Sequence, residues 1–198
     1  MVFTDIAKSA LVFAVAASAE SAYPQVKINE MMYAPSGGAP EWVELFNPSS
    51  DSVNVRNWSI KNKNDKPYTL TESDFYILPK DFLVITKSDT IFRFHPAIPS
   101  RVLICPSLPV AFMVNSGDTI SVSDSSGIMV DSVFYKPTWG GSGGKSLERI
   151  SVGDSPFTST NWGTCRDSSG STPGEKNSIA AKQHDLGIKL FSAAISAE

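Results

Sequence analysis

The residues of this chain that could carry out chemistry are few and scattered. Its 198 residues include two histidines, His95 and His184, and two cysteines, Cys105 and Cys165. A zinc site needs three or four convergent ligands, usually with some of them closely spaced in sequence, and neither pair has such a spacing. The sequence therefore predicts two surface histidines, no metal ligands and no cofactor.

A glycine-rich stretch, Gly140–Ser146 (GGSGGKS), is similar to a phosphate-binding loop. A Walker A motif needs a glycine where Trp139 stands, and it needs a helix to follow, whose N-terminus binds the phosphate. Leu147–Val152 instead alternates like a strand. We interpret the stretch as a surface loop.

Glu44 is the charged residue with the most informative position. It lies in the middle of a predicted strand, Glu41–Asn47 (EWVELFN). A carboxylate that is partly covered there needs a partner, and the guanidinium of Arg149 can bind a carboxylate with two parallel hydrogen bonds. The sequence predicts a structural Glu44–Arg149 ion pair covered by Trp42 or Trp162.

Catalysis by Glu44 is the less favoured interpretation. It would need a second carboxylate at a matching distance, and Glu41 and Glu148 are the candidates. No nucleophile-elbow pattern points to a serine hydrolase either. We therefore predict that the chain has no catalytic residues and is not an enzyme.

The charge pattern argues against nucleic acid as a partner. The net charge is −3, and charged residues make up 19% of the chain, below the average of roughly 25%. The densest basic stretch, Lys61, Lys63 and Lys66, is interrupted by Asp65. Nucleic-acid binders usually carry a basic face, so DNA and RNA are not expected ligands.

Short alternating runs separated by turn formers fill the middle of the chain. Apolar side chains take every second position, and β-branched and aromatic residues dominate. The runs are Val26–Asn29, Glu41–Asn47, Val53–Val55, Trp58–Ile60, Phe82–Thr86, Val102–Cys105, Thr119–Ser123 and Met129–Tyr135. Asp124–Gly127 predicts a β-hairpin. No window here has a helical period, so we predict an all-β sandwich or barrel.

The two ends leave alternatives open. Phe13–Glu20 (FAVAASAE) and Phe191–Glu198 (FSAAISAE) are similar in register, which favours a piece of a longer modular protein. Ala10–Ala19 also fits a signal peptide, and it is too short to span a bilayer. We predict a leader, a linker or the end of a preceding domain over 1–25, a sandwich over 26–180, and a linker with the first strand of a following domain over 181–198.

The two cysteines also leave two interpretations open. They are far apart in sequence, which suits either one disulfide between Cys105 and Cys165 or two buried thiols. Export from the cell would favour the disulfide.

A series of segments in one order resembles the lamin tail domain of the bacterial type. The segments are Ile28–Pro35 (INEMMYAP), Glu41–Asn47, Val53–Ile60 (VNVRNWSI), Leu78–Ile85 (LPKDFLVI), Asn115–Ile120 (NSGDTI), Asp131–Val133, Lys145–Arg149 (KSLER), Trp162-Gly163 and Thr172–Asn177 (TPGEKN). Each is a weak signal alone, but their order over 26–177 is a strong one. The resemblance implies an immunoglobulin-like β-sandwich of two antiparallel sheets that is not catalytic.

Bacterial members of that family occur in secreted or surface proteins, often beside hydrolases or adhesion-type β-domains. We therefore expect a non-catalytic structural or binding module of an exported multidomain protein, extracellular or at the cell surface, with no transmembrane segment. Its partner would be a surface protein, a polysaccharide or a neighbouring domain of the same chain. The aromatic residues Trp139, Phe92 and Phe94 are the candidate contact patch.

Two other functions stay open, an accessory domain attached to a secreted hydrolase and a self-association module. One stretch also departs from the family pattern. Asp89–Met113 is longer and more apolar than expected between two strands, and it is predicted to cover one end of the sandwich or to form a binding surface.

Overall fold

The computed structural model describes residues 26–181, which form short β-strands joined by tight turns. Twelve strands lie in this range: β1 Lys27–Met32, β2 Trp42–Phe46, β3 Val53–Asn54, β4 Ser59–Lys61, β5 Tyr68–Thr69, β6 Tyr76–Ile77, β7 Phe82–Thr86, β8 Arg101–Ile104, β9 Asp118–Ser123, β10 Met129–Tyr135, β11 Leu147–Arg149 and β12 Trp162–Thr164. One helical turn, α1 (Ile91–Phe94), precedes β8, and two 3-10 turns cover Pro137–Trp139 and Ser159–Asn161. None of the helices within 26–181 is long and apolar enough to cross a membrane. The predictions of a leader, linker or preceding domain over 1–25 and of a following strand after residue 181 concern residues outside this range.

The strands form two main layers. One sheet has six strands in the order β12-β11-β1-β2-β7-β8, and the other has four in the order β10-β9-β4-β5; β3 and β6 form a small separate pair. The predicted all-β sandwich is confirmed. One pairing departs from the antiparallel rule, because β8 runs parallel to β7. Parallel neighbours need a connection of about a dozen residues or more, and the stretch between β7 and β8, which carries α1, supplies it.

The core lies between the two sheets, and alternation along the strands fills it. The six-stranded sheet contributes residues such as Val43, Leu45 and Leu83, and the other sheet contributes Ile60 and Ile120. All five are buried almost completely. The period of two seen in the sequence therefore assigns the correct faces of the central strands.

The outer face of the six-stranded sheet is also covered. Ile91 of the connection packs on Trp42 and Val84 of that face. A second cover comes from residues 170–179, which we name the strap and which hydrogen-bond to the same face. Polar residues that alternation would point to solvent are consequently buried.

The chain enters and leaves the sandwich at one end. The Arg149 side chain donates to the Ile28 carbonyl near the first described residues, with Nη1 and O 3.2 Å apart. The Ala181 amide, at the last described residue, donates to the Ile150 carbonyl, with N and O 3.0 Å apart. We name this the entry end. The opposite end of β2 and β7, the distal end, lies about 14 Å away at the usual strand rise.

Candidate functional site

Three glutamates lie side by side on the covered face. Glu30 of β1 pairs in register with Glu148 of β11 on one side and with Glu44 of β2 on the other. Residues opposite one another on neighbouring strands point to the same face. All three are fully buried. We name this group the carboxyl cluster.

A threonine of the strap joins two members of the cluster. The Thr172 amide donates to Glu30 Oε1 at 2.9 Å, and Thr172 Oγ1 lies 3.0 Å from Glu30 Oε2 and 2.9 Å from Glu148 Oε1. Ser146 Oγ donates to Glu30 Oε1 at 2.5 Å. The cluster thus holds the strap through side-chain and backbone hydrogen bonds at once.

The other carboxyl oxygens are also occupied. Glu44 Oε1 accepts from Asn29 Nδ2 at 2.8 Å, and Glu44 Oε2 accepts from the Gly174 amide of the strap at 2.6 Å. Glu148 Oε2 accepts from Ser178 Oγ at 2.7 Å. Buried polar groups are costly unless they are hydrogen-bonded, and the strap supplies most of the donors here.

Burial changes the acidity of this cluster. It raises the pKa of Glu30 to about 7, although hydrogen bonds from Ser146 and Thr172 lower it. Complete burial raises the pKa of Glu44 well above its ordinary value, and the nearby Glu30 charge adds to the effect. Desolvation disfavours the charged form of a carboxyl group, so protons are retained here near neutral pH.

The predicted Glu44–Arg149 ion pair is wrong. Arg149 Nη1 pairs with Asp131 Oδ2 of β10 at 3.0 Å, with both side chains buried. The reason is the alternation of β11: Glu148 points to the face of Glu44, so Arg149 points to the opposite face. Trp162 contacts Arg149 of the predicted pair, with the guanidinium 5.7 Å from the ring centre.

The disulfide interpretation is also wrong, because both cysteines are buried free thiols. Cys105 follows β8 and Cys165 follows β12, and these strands are the two opposite edges of the six-stranded sheet. Five strand spacings separate the edges, roughly 24 Å, whereas bonded cysteines have Cα atoms about 4.4–6.8 Å apart.

The thiols should react slowly in the native protein. Burial raises the pKa of Cys165 to about 11, and the thiolate is the reactive form. We expect no appreciable reaction with a chromogenic disulfide reagent at pH 8 within minutes, and two reactive thiols after denaturation without reductant. A Cys105→Ser variant should then give one. Fewer thiols in the denatured wild type would contradict the structure.

Glu30, Glu148 and Cys165 place one potential ligand atom each within 4.8 Å of one another. A metal could in principle use such a set. Every carboxyl oxygen of Glu30 and Glu148 is already engaged in a hydrogen bond with the strap or with Ser146. The geometry is therefore that of a hydrogen-bonded cluster that holds the strap.

A cavity of about 360 Å³ opens at the distal end. We name it the distal cavity; most of its lining is apolar and includes Trp42, Ile85, Leu108, Phe112 and Met113. The second half of the unusual Asp89–Met113 stretch forms one wall. Residues 108–113 therefore lie at one end of the sandwich, and the two predicted roles of the stretch, a cover or a binding surface, stay predictions.

Two charged residues at the distal cavity are engaged with the backbone. Glu41 Oε2 accepts from the amides of Phe112 and Met113 at 2.7 and 2.8 Å, and burial raises the pKa of Glu41 to about 7. Lys87 Nζ donates to the carbonyls of Pro106 and Leu108. Both side chains therefore position the wall of the cavity.

A second cavity, of about 490 Å³, lies at the entry end. Its apolar lining includes Phe46, Phe82, Ile150, Ala180 and Ala181. The last of these is the final described residue, so this cavity borders the end of the described chain.

The predicted aromatic patch is not one surface. Phe92 and Phe94 on α1 are exposed by 43% and 42%, and Phe94 lines a shallow cavity with His95 and strap residues. Trp139 instead packs against the main core and edge-on against Phe134. Binding by any of these residues stays a prediction.

The histidine and glycine interpretations have different outcomes. His95 is partly buried, with its ring edge-on to Trp42 and Nε2 3.4 Å from Ser171 Oγ, while His184 lies outside the described residues. The Gly140–Ser146 loop is followed by strand β11, as predicted, and not by a helix.

Comparison with known families shows which family the chain belongs to. The family model described as the lamin tail domain matches residues 19–137, more than half of the sequence. The chain belongs to the lamin tail domain family. This confirms the resemblance seen in the sequence and, with the two-layer sheet topology, the immunoglobulin-like sandwich.

Lamin tail domains are immunoglobulin-like structural domains that are not typically catalytic, so the chain is best described as a non-enzymatic module of this fold. No curated protein matches the chain. The strands β11 and β12 and the strap lie beyond the matched residues, although they complete the carboxyl cluster.

Proposed function

We propose that this lamin tail domain is a binding module of an exported multidomain protein, and that its distal end contacts the partner. The observation that carries the proposal is the difference between the two ends of the sandwich. The chain enters and leaves at one end, and an open apolar cavity lies at the other. Neighbouring domains would then attach at the entry end and leave the distal end free.

The connectivity supports a modular arrangement. Domains whose ends lie close together are readily placed within longer chains. The entry cavity offers an apolar surface, with Phe46, Phe82 and Ile150, beside the end of the described chain. A neighbouring domain of the same polypeptide could pack there.

The distal cavity supports a binding role. Binding sites are typically concave and mostly apolar with few polar groups. Val110, in the loop that forms one wall, is 80% exposed, a high value for a β-branched apolar residue beside a cavity. The charged residues Glu41 and Lys87 hold this loop in place, which suits recognition better than catalysis.

Export is supported by the sequence, through the apolar run Ala10–Ala19 and the resemblance to bacterial members of secreted proteins. The proposed location is therefore outside the cell or at its surface. The partner classes are a surface protein or a polysaccharide.

A matched pair of surface variants tests the binding role. We expect Val110→Asp to reduce capture of surface proteins or glycans at least tenfold, because a charge at the rim of the distal cavity must be desolvated on binding. Ile128→Asp, at the exposed tip of the β9–β10 hairpin, should leave capture unchanged. A pull-down from surface extracts and a glycan array measure both. Empty results in both assays with wild type would leave only a spacer role.

Two further measurements address the other hypotheses. Sedimentation of the purified chain as a monomer at high concentration would remove self-association. A catalytic domain in the parent polypeptide would favour an accessory role beside a hydrolase, whereas further β-domains would favour the adhesion-type arrangement.

A further inference from the structure

The strap depends on buried acids for its attachment. Its Thr172, Gly174 and Ser178 all donate hydrogen bonds to the carboxyl cluster. Every donor that the structure shows for these carboxyl oxygens is an amide or a hydroxyl, hence neutral. Three adjacent buried carboxylates with only neutral donors repel one another.

Hydrogen counting shows where a proton is needed. The Thr172 hydroxyl has one hydrogen, yet its oxygen lies within hydrogen-bond distance of both Glu30 Oε2 and Glu148 Oε1. With both carboxyl groups ionised, the two contacts would have to share this hydrogen in one weaker three-centre bond. If one carboxyl group is protonated and donates to Thr172 Oγ1, both contacts are full hydrogen bonds, and the geometry thus favours a carboxylic acid in this pair.

We propose that the carboxyl cluster is a proton-operated latch, in which one proton shared by Glu30 and Glu148 holds the strap closed on the six-stranded sheet. When the proton is lost to solvent, one contact to Thr172 loses its hydrogen and two like charges face each other across it. The strap is then released and the outer face of the sheet is exposed.

No lysine or arginine side chain among the described residues donates to the carboxyl cluster, so the acids themselves control the closure of the strap. Arg149 points to the opposite face and pairs with Asp131, and Glu175 and Lys176 of the strap are exposed. The groups that face the latch from the packed elements are Glu30 of β1, Glu44 of β2, Glu148 of β11, Cys165 after β12, and His95 after α1, which contacts Ser171.

The direction in which pH changes the closure of the strap follows from the raised pKa of the buried acids. Burial raises the pKa of Glu30 to about 7 from 4.5, so the closed form binds more protons than the open form between these values. Closure is therefore strongest below pH 4.5 to 5, weakens as pH rises, and has lost this contribution above about pH 7. His95 acts in the opposite direction, because burial lowers its pKa.

Hydrogen exchange of the intact chain measures the latch directly. After correction for intrinsic rates, we expect protection of the strap amides, residues 170–179, to fall on the order of 100-fold between pH 5 and pH 8. The β9–β10 hairpin, residues 118–135, should change much less. An equal fall in the hairpin would indicate global destabilisation and overturn the latch, as would constant strap protection.

Two isosteric variants separate the latch from ordinary packing. In Glu30→Gln the side-chain amide can donate to Thr172 Oγ1 as the protonated acid does, so strap protection should fall much less than in wild type over the same pH range. The fall that remains is that of Glu44, whose pKa burial also raises. In Glu44→Gln the amide NH₂ must face one of the two N–H donors, Asn29 or Gly174, while the amide oxygen accepts from the other, so protection should be lower at every pH while its fall persists. A full fall in Glu30→Gln contradicts the proposal.

Two controls complete the test. His95→Gln should leave the fall in place or enlarge it, because the opposing group is removed. If Glu30→Gln does not fold, infrared difference spectra of wild type still decide the question, since the latch requires a carboxylic-acid carbonyl band at neutral pH. The absence of that band overturns the proposal. These measurements do not involve the distal cavity, so they fail or succeed independently of the binding role.

Discussion

Replacing Arg149 with methionine is expected to lower the free energy of unfolding by about 3–5 kcal/mol, because it leaves a buried partner charge uncompensated. Arg149 Nη1 lies 3.0 Å from Asp131 Oδ2, and the two side chains are 1% and 7% exposed. The same guanidinium donates to the carbonyls of Ile28, Ser151 and Asp154. All of these acceptors lose a donor together, while methionine retains only the packing volume.

Urea denaturation measures this loss, and a surface pair provides the control. Arg56 lies 3.6 Å from Asp74, with both side chains more than half exposed, so Arg56→Met should cost less than about 1 kcal/mol. Adding Asp131→Leu to Arg149→Met should recover part of the loss, because no orphaned carboxylate remains. An Arg149→Met protein within 1 kcal/mol of wild type would show that the pair contributes little.

The strands could be predicted because their signal is local. Alternation over five residues assigns Val43 and Leu45 to one face of β2 whatever their partners are, and Asp124–Gly127 forms the predicted turn, with Gly127 at φ +80°. Such features depend only on residues that are close together in the sequence. The same reasoning placed Glu44 on the face opposite the core and required a partner for it.

The identity of that partner was not accessible from the sequence. Arg149 has a suitable side chain, but the register of β1 against β11 places Glu148 on the face of Glu44. Of the actual partners, Asn29 lies on β1 and Gly174 lies on the strap, which returns 130 residues after Glu44. Loop placement at that separation leaves no periodic pattern in the sequence.

The cysteines illustrate the same limit. Their number and separation in sequence allow a disulfide, but the order of strands in the sheet decides against it. Cys105 and Cys165 follow opposite edge strands, and no local pattern encodes which strands become edges. The distal cavity also requires this order, because the crossover to β8 positions the loop that forms its wall.

Replacing Gly140 with alanine is expected to cost about 2–6 kcal/mol, and the reason explains the glycine-rich loop. Gly140 has φ +125° and ψ −174°, a conformation that is essentially restricted to glycine and costs other residues about 1–3 kcal/mol. A Cβ atom would lie 2.5 Å from the Thr164 backbone nitrogen of β12. Relieving such a contact in a packed region costs about 1–3 kcal/mol more.

Gly143 in the same loop is the matched control. Its φ is +59°, and a Cβ atom there would meet nothing within 4 Å, so Gly143→Ala should cost only the left-handed conformation, about 1–2 kcal/mol. Urea denaturation of both variants separates the contributions. Equal losses would show that close approach to β12 does not constrain Gly140. A larger loss for Gly140→Ala would show that this glycine is needed for the packing of Pro137–Trp139 on β12. A phosphate-binding role would not require the two substitutions to differ in their effect on the free energy of unfolding.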